Sequence, residues 1–424
     1  MRPPTETAVA DSIAVGDAWA GHAVGFDLLT RDDRQVVAYY DAERRLTVAQ
    51  RDLGGAGDWE RTTLPERVPW DSHNYLTLAA DADGHLHLAG NVHGDPLVYF
   101  RTAAPLDATT FERVPELVGR DEDRVTYPTF LDGPGDELVF MYRDGQSGDG
   151  RRLLDAYDPA SESWRRLLDA PLLDGSPDCN AYPAGPRRGP DGDYHLFWVW
   201  RDTPDAATNH DLSYARSPDL ERWTTSDGTP LDLPITPDTG EVVDPVPAGE
   251  GLLNSNVAPG FDGAGRPTVT YHRHVDGATQ AFLARREADG WNRVQVSDWT
   301  ERWDFGGHGS LENRIEVDPL RATGEGPVAT FWHAAHGPGR WVLDDDLAVE
   351  REDVPWHGLP DEWRSPRGDD PDLAVQWATD PGSPWALRWE ALPPNRDRPR
   401  DDVPPASTLE AVRLDPAPAS TRKP

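Results

Sequence analysis

Asp71-Ser-His-Asn-Tyr-Leu-Thr-Leu-Ala-Ala-Asp-Ala-Asp-Gly-His-Leu-His-Leu-Ala-Gly-Asn-Val-His-Gly-Asp-Pro-Leu-Val-Tyr-Phe-Arg101 reads as a three-stranded meander. Strands are expected over Tyr75 to Ala79, His85 to Ala89 and Leu97 to Arg101, with an Asp/Gly turn from Asp81 to Gly84. Apolar runs separated by tight polar turns make antiparallel hairpins. His73 stands just before the first strand and His93 just after the second. In a meander those two points share one edge, so the imidazoles are expected to face each other.

The same unit recurs along the chain. Arg34 to Tyr40, Glu137 to Arg143, Asp193 to Arg201, Arg266 to His272 and Gly326 to His333 are apolar strands after polar turns. Each leads to a second strand and then to an outer segment, such as Gly57 to Arg61, Glu162 to Arg166, Glu221 to Trp223 or Gly290 to Arg293. The spacing is about 40–60 residues, as in propeller blades. Six units are visible. A seventh is assembled from Leu373 to Trp377 and Trp385 to Trp389, closed by the region Trp19 to Leu29. The expectation is an all-β chain, a single-domain seven-bladed β-propeller over residues 1–392. Residues 393–424, rich in Pro, Arg and Asp, read as a largely mobile tail in which Thr408 to Leu414 adds an edge strand.

Composition agrees. The 424 residues include 41 Pro, 38 Gly, 17 Trp and 10 Phe, which favours many turns and strands over helices. The net charge is −34, and Lys423 is the sole lysine. A surface this acidic repels phosphate backbones and anionic membranes, so neither nucleic acid nor membrane is an expected partner. Cys179 stands alone, so no intrachain disulfide forms. The segment Met1 to Ala8 has no apolar run of the secretory kind, and a cytoplasmic location is expected. Oligomeric state is not encoded legibly.

Propellers collect active sites at inner strand ends around a central funnel. Tyr127, in Arg124-Val-Thr-Tyr-Pro-Thr-Phe130, precedes a proline, which predicts extended backbone at a strand entrance. Arg143 and Arg201 end equivalent strands of the third and fourth units. With His73 and His93 these are the candidate catalytic residues. Asn74, Asn209, His210 and Tyr271 are candidate substrate-binding residues, and Asn254, Asn256 and His308 are further funnel candidates. The set holds no obvious catalytic carboxylate pair, nucleophile triad or phosphate loop. It suits β-elimination on a uronic acid. An Arg binds the carboxylate bidentately and stabilises the enediolate-like state. A neutral His, or a Tyr made more acidic by Arg, takes the C5 proton, and a second group protonates the leaving C4 oxygen.

The motifs Ser-His73-Asn-Tyr, Tyr127-Pro-Thr-Phe, Tyr-Arg143-Asp-Gly-Gln-Ser-Gly-Asp-Gly, Trp-Arg201-Asp-Thr and Thr-Asn-His210-Asp-Leu-Ser-Tyr-Ala-Arg-Ser resemble the BNR-like repeat family. That family includes ulvan lyases and rhamnose–glucuronate lyases, and the likeness spans Trp70 to Trp303. It implies a seven-bladed propeller that eliminates across a rhamnose–uronate linkage in an anionic oligosaccharide. It also implies His73 and His93 as the paired active-site histidines, Tyr127 as acid/base and Arg143 and Arg201 as carboxylate binders. Nothing in the residues requires a cofactor; the resemblance implies a calcium or zinc ion in some members, with metal ligands here unknown. Two other readings stand beside the lyase. One is a sialidase-like glycoside hydrolase using Asp71, Asp202 or Asp211, and the other a non-catalytic carbohydrate-binding propeller.

Overall fold

The computed structural model describes residues 7–54, 57–354, 359 and 361–416. The described residues form an all-β molecule of seven antiparallel sheets, with helix limited to one four-residue turn and short 3-10 segments. No helix among them is long and apolar enough to cross a membrane. The sheets follow one another along the chain. The first holds Asp27–Arg31, Arg34–Tyr40, Arg45–Asp52 and Glu60–Arg67, and the second Leu76–Ala80, Leu86–Gly90, Tyr99–Thr102 and Phe111–Arg113. The third is built on Val125–Asp132, Leu138–Gln146, Asp149–Asp158 and Ser163–Arg166, and the fourth on Asn180–Arg188, Tyr194–Arg201, Asn209–Ser217 and Glu241–Asp244. The fifth runs from Ala258–Phe261 to Gly290–Gln295 and the sixth from Ile315–Val317 to Val349–Asp353. First strands pack against the neighbouring sheets, as Asp27–Arg31 does against both Ala374–Thr379 of the last sheet and Leu76–Ala80 of the second.

The seventh sheet differs from expectation. Its order is Thr7–Ala18, Ser407–Pro416, Trp385–Ala391, Ala374–Thr379. The closing strand is thus Thr7–Ala18, while Trp19 and the residues after it lead into the first sheet. Ser407–Pro416 is not an edge: it pairs on both sides, Ala411 with Ile13 and with Leu387. Leu409, Ala411 and Val412 are fully buried, so the strand expected at the edge is held inside the sheet. Residues 417–424 of that expected tail lie outside the described residues. In the fourth sheet the outer strand is Glu241–Asp244; Glu221 to Trp223 forms a turn whose indole is buried. The core is layered between sheets, with Trp198, Trp200 and Trp341 among its largest fully buried side chains.

Candidate active site

The meander sets the first half of the site. Leu76 pairs with Gly90, so the residues before one strand and after the next meet at one edge. Past Gly90 the chain crosses to the third sheet, where His93 pairs with Thr126. The rings of His73 and His93 stack at 4.0 Å between centroids, 17° from parallel. Asp71 clamps both: Oδ1 lies 2.7 Å from His73 Nδ1, and Oδ2 lies 2.6 Å from His93 Nδ1. Burial alone would raise this carboxyl, but the hydrogen bonds from His73 and His93 outweigh it and hold it well below the usual carboxylate range. An ionised carboxylate only accepts, so both rings donate through Nδ1. With Nδ1 donating, Nε2 is the ring nitrogen left to exchange a proton with a substrate.

The second half sits on the third and fourth sheets. Tyr127 has φ +56, in a bulge where pairing slips between Thr126 and Thr129. The extended conformation expected before Pro128 is therefore not adopted. A bulge re-aims a side chain at the cost of local strain, which is characteristic of functional positions. The Tyr127 ring lies 5.9 Å from the His73 ring and 5.9 Å from that of Tyr182. Arg143 and Arg152 place their guanidiniums 5.0 and 5.2 Å from the Tyr127 ring centre. Arg201 lies 5.3 Å from the Tyr182 ring, and Ser147 Oγ is 2.7 Å from the Tyr182 hydroxyl.

These three arginines lack carboxylates. Arg143 is 1% exposed; Nη2 donates to Thr126 Oγ1 at 3.0 Å, while Nε and Nη1 have no partner. Arg152 is 2% exposed with Nε unpartnered. Arg201 donates only to neutral oxygens, the Pro204 and Asp205 carbonyls and the Tyr182 hydroxyl. Among the described residues none of the three forms an ion pair, whereas nearby Arg151 pairs with Asp121 and Asp144, and Arg166 with Asp155. The two phenols respond oppositely. Burial, and then the neighbouring Tyr182, push Tyr127 up, with the arginines offsetting only part. Burial also opposes ionisation of Tyr182, but Arg201 and Arg143 outweigh it and bring that phenol below its ordinary value. A more acidic tyrosine was expected, and it is Tyr182 rather than Tyr127. Burial, then repulsion from Arg143, lowers Arg152 to about 10. A cavity of about 320 Å³ adjoins the cluster, lined among others by Tyr127, Tyr182, Arg152, Arg187 and Asn254.

The structure thus brings His73, His93, Tyr127, Arg143 and Arg201 together. Asn209 is fully buried beside Arg201 in register, and its Nδ2 donates to Ala206 O and to Asn254 Oδ1. His210 lies between Asp202 and Asp211, at 2.9 and 3.0 Å. Asn74 is 1% exposed; its side-chain amide donates to Asn91 Oδ1 at 3.5 Å, and its backbone N–H donates to Asp71 O at 3.3 Å, closing the His73 turn. Tyr271 is not at the site. Its ring is fully buried against Phe282, and its hydroxyl donates to Asp244 Oδ2 at 2.6 Å. Arg152, Tyr182 and Asp397 were not anticipated. Tyr182-Pro183 repeats Tyr127-Pro128 one sheet later, and Arg152 stands directly across from Arg143. The first signal marks Tyr182 and the second Arg152; Asp397 carries neither.

Two triplets of described residues bring ligand atoms within 4.8 Å of one another, Asp71/His73/His93 and Glu301/His333/His336. In the first, protonated nitrogens face the carboxylate. In the second, the Ala335 N–H donates to His333 Nδ1, which leaves the proton of that neutral ring on Nε2, and His336 Nε2 faces Glu301 at 2.8 Å.

No curated protein sequence matches this chain. Among solved structures, the polysaccharide lyase Uly1 aligns with TM-score 0.64 and 12% identity, covering 96% of this chain and 100% of that one. A PL25 ulvan lyase bound to -[GlcA(1-4)Rha3S]- aligns with TM-score 0.59 and 12% identity, covering 94% and 95%. At this identity the likeness establishes the shared fold. The family model for BNR repeat-containing family members matches residues 34–299, which span the clamped histidines, both tyrosines and the three arginines. The chain belongs to the BNR repeat-containing family.

Proposed function

We propose that this chain is a seven-bladed propeller lyase that cleaves a uronic-acid-containing, rhamnose–glucuronate type linkage by β-elimination. The seven consecutive antiparallel sheets, with the first packed against both the second and the last, support seven blades, with Thr7–Ala18 completing the last. The observation that carries the activity is the trio of buried guanidiniums without counter-ions beside a carboxylate-clamped imidazole pair. Burying an unpaired cation costs several kcal/mol, so the site is built for an anion that arrives. In a molecule of net charge −34, three such groups in one place are selective.

Arg143 and Arg201 hold the uronate carboxylate, and Arg152 adds positive potential behind them. This stabilises negative charge as the C5 proton leaves, the step on which elimination depends. A histidine Nε2 of the Asp71-clamped pair takes that proton. Tyr127 keeps its own proton at neutral pH and gives it to the leaving C4 oxygen as the C4–O bond breaks. General acid–base help of this kind is worth about 10²–10⁴ in rate. The ulvan lyase neighbour bound to a glucuronate–rhamnose sulfate oligosaccharide supports the substrate class. Asp71, Asp202 and Asp211, the carboxylates a hydrolase would use, are each engaged by a histidine.

The test is ultraviolet absorbance during incubation with rhamnose–glucuronate oligosaccharides. A rise from the conjugated C4=C5 bond, lost in Tyr127→Phe, supports the lyase. New reducing ends without absorbance sink it in favour of hydrolysis.

A further inference from the structure

The segment Pro393–Arg400 leaves the seventh sheet and runs to the candidate site before returning as Ser407–Pro416. Arg396 and Asp397 have φ +66 and +55, conformations that a side chain adopts only where its surroundings impose them. They are imposed here. Arg396 Nη1 donates to the carbonyls of Gly306 and His308 at 2.7 and 3.2 Å, and Arg400 Nη1 to that of Gly21 at 2.9 Å. The Asp397 carboxylate is the point where separate loops meet. Its Oδ1 accepts from Ser72 N and Ser72 Oγ, both at 3.1 Å, and lies 3.1 Å from buried His22 Nε2. Its Oδ2 accepts from Ser310 N at 2.7 Å and stands 3.6 Å from His73 Nδ1.

Ser72 is the residue between the clamp Asp71 and the ring it holds. We infer that Asp397 is a positioning residue for His73: by fixing the Ser72 backbone and flanking Nδ1, it keeps the imidazole in one orientation and one tautomer. His93 has the Asp71 contact but none with Asp397, so the effect is confined to one ring of the stacked pair. The inference rests on the proposed role of His73 in proton transfer for its consequence, but its geometry does not. Burial alone would raise the Asp397 carboxyl; the hydrogen bonds from His22 and Ser72 outweigh it, so it faces the ring as an anion at neutral pH.

The experiment is long-range ¹H–¹⁵N correlation of the imidazoles in the full chain, for wild type, Asp397→Ala, Asp397→Asn and Arg396→Ala. In wild type, both rings show a protonated Nδ1. In Asp397→Ala, His73 loses that single-tautomer pattern and His93 keeps it. Turnover of a uronate oligosaccharide falls about 10- to 100-fold in kcat, with KM changed less than about twofold. Asn keeps an acceptor for Ser72 and recovers part of the loss. Arg396→Ala leaves the carboxylate in place but unpins its segment, giving a weaker form of the same change and a reading even where Asp397→Ala does not fold. An unchanged His73 pattern in folded Asp397→Ala, or equal loss at His93, overturns the assignment. A changed His73 pattern with no uronate turned over by wild type keeps the positioning role and removes the lyase.

Discussion

Replacing Arg143 by Met is expected to make the protein more stable and inactive. The side chains have similar length, so the cavity term is small. Arg143 is 1% exposed, and two of its three nitrogens have no partner. Removing a guanidinium from such a place recovers a desolvation cost of several kcal/mol. Against that stand one hydrogen bond to Thr126, worth about 1.5–3 kcal/mol, and a cation–π contact with Tyr127, worth about 0.5–2 kcal/mol. Relief of repulsion with Arg152 adds to the gain. The balance is a net stabilisation of about 1–3 kcal/mol. At about 2.1 cal/mol/K per residue the unfolding entropy of a chain this long makes that a rise of roughly 1–3 °C in Tm. Scanning calorimetry in a buffer free of polyvalent anions measures it. Glucuronate in excess should raise the wild-type Tm and leave the variant's unchanged, because only the wild type offers the vacancy. Turnover should fall at least about 10²-fold. A variant less stable than wild type by more than about 1 kcal/mol, without added anion, would refute the reasoning, since it would mean the guanidinium is already compensated.

Asp71→Asn keeps one acceptor and turns a donor toward the other ring, so one imidazole must flip tautomer; kcat should drop about 10²–10⁴-fold in steady-state assays while the fold persists. Asp27 is half-buried, and desolvation lifts its carboxyl to about 7 despite hydrogen bonds from the Leu78 and Leu28 N–H groups. Between its unfolded value and about 7 the folded state binds the extra proton, so stability is full below about pH 4 and declines as pH rises through 7. Denaturant midpoints should show that decline, and Asp27→Asn should flatten it. Added salt should raise turnover of a uronate substrate at low ionic strength, because screening relieves repulsion between an anionic sugar and a chain of charge −34; a steady fall on titrating salt would contradict the local-arginine picture.

Much of this site is legible in the sequence because strand alternation and strand ends are. The His73–His93 pairing follows from a hairpin register, and Arg143 and Arg201 follow from equivalent positions on repeated strands. Tyr271 shows the limit. It shares a strand with His272 and Arg273, but alternation turns its ring toward Phe282 and Asp244. Single-strand reading does not tell which face meets another sheet. Tyr127 was found, but its bulge was not, since a proline after it argues for extended backbone. Tyr182 carries the same Tyr-Pro signal, but its strand Asn180–Arg188 holds Pro183, Gly185 and Pro186, which obscure the strand pattern that would place it at the site. Asp397 is invisible to periodicity: it lies in an irregular Pro/Arg/Asp segment, and only folding brings it beside a residue 325 positions earlier. The strand that follows it was legible over Thr408 to Leu414, but not that it pairs on both sides, since the partner Thr7–Ala18 lies at the other end of the chain.

The central claim is that an anion-seeking arginine cluster and a clamped histidine pair perform elimination. Mass spectrometry of products formed from a rhamnose–glucuronate oligosaccharide in H₂¹⁸O tests it most directly. The account predicts unsaturated uronate ends without ¹⁸O, absent with Arg143→Met. Saturated products carrying ¹⁸O at the cleaved linkage would contradict it.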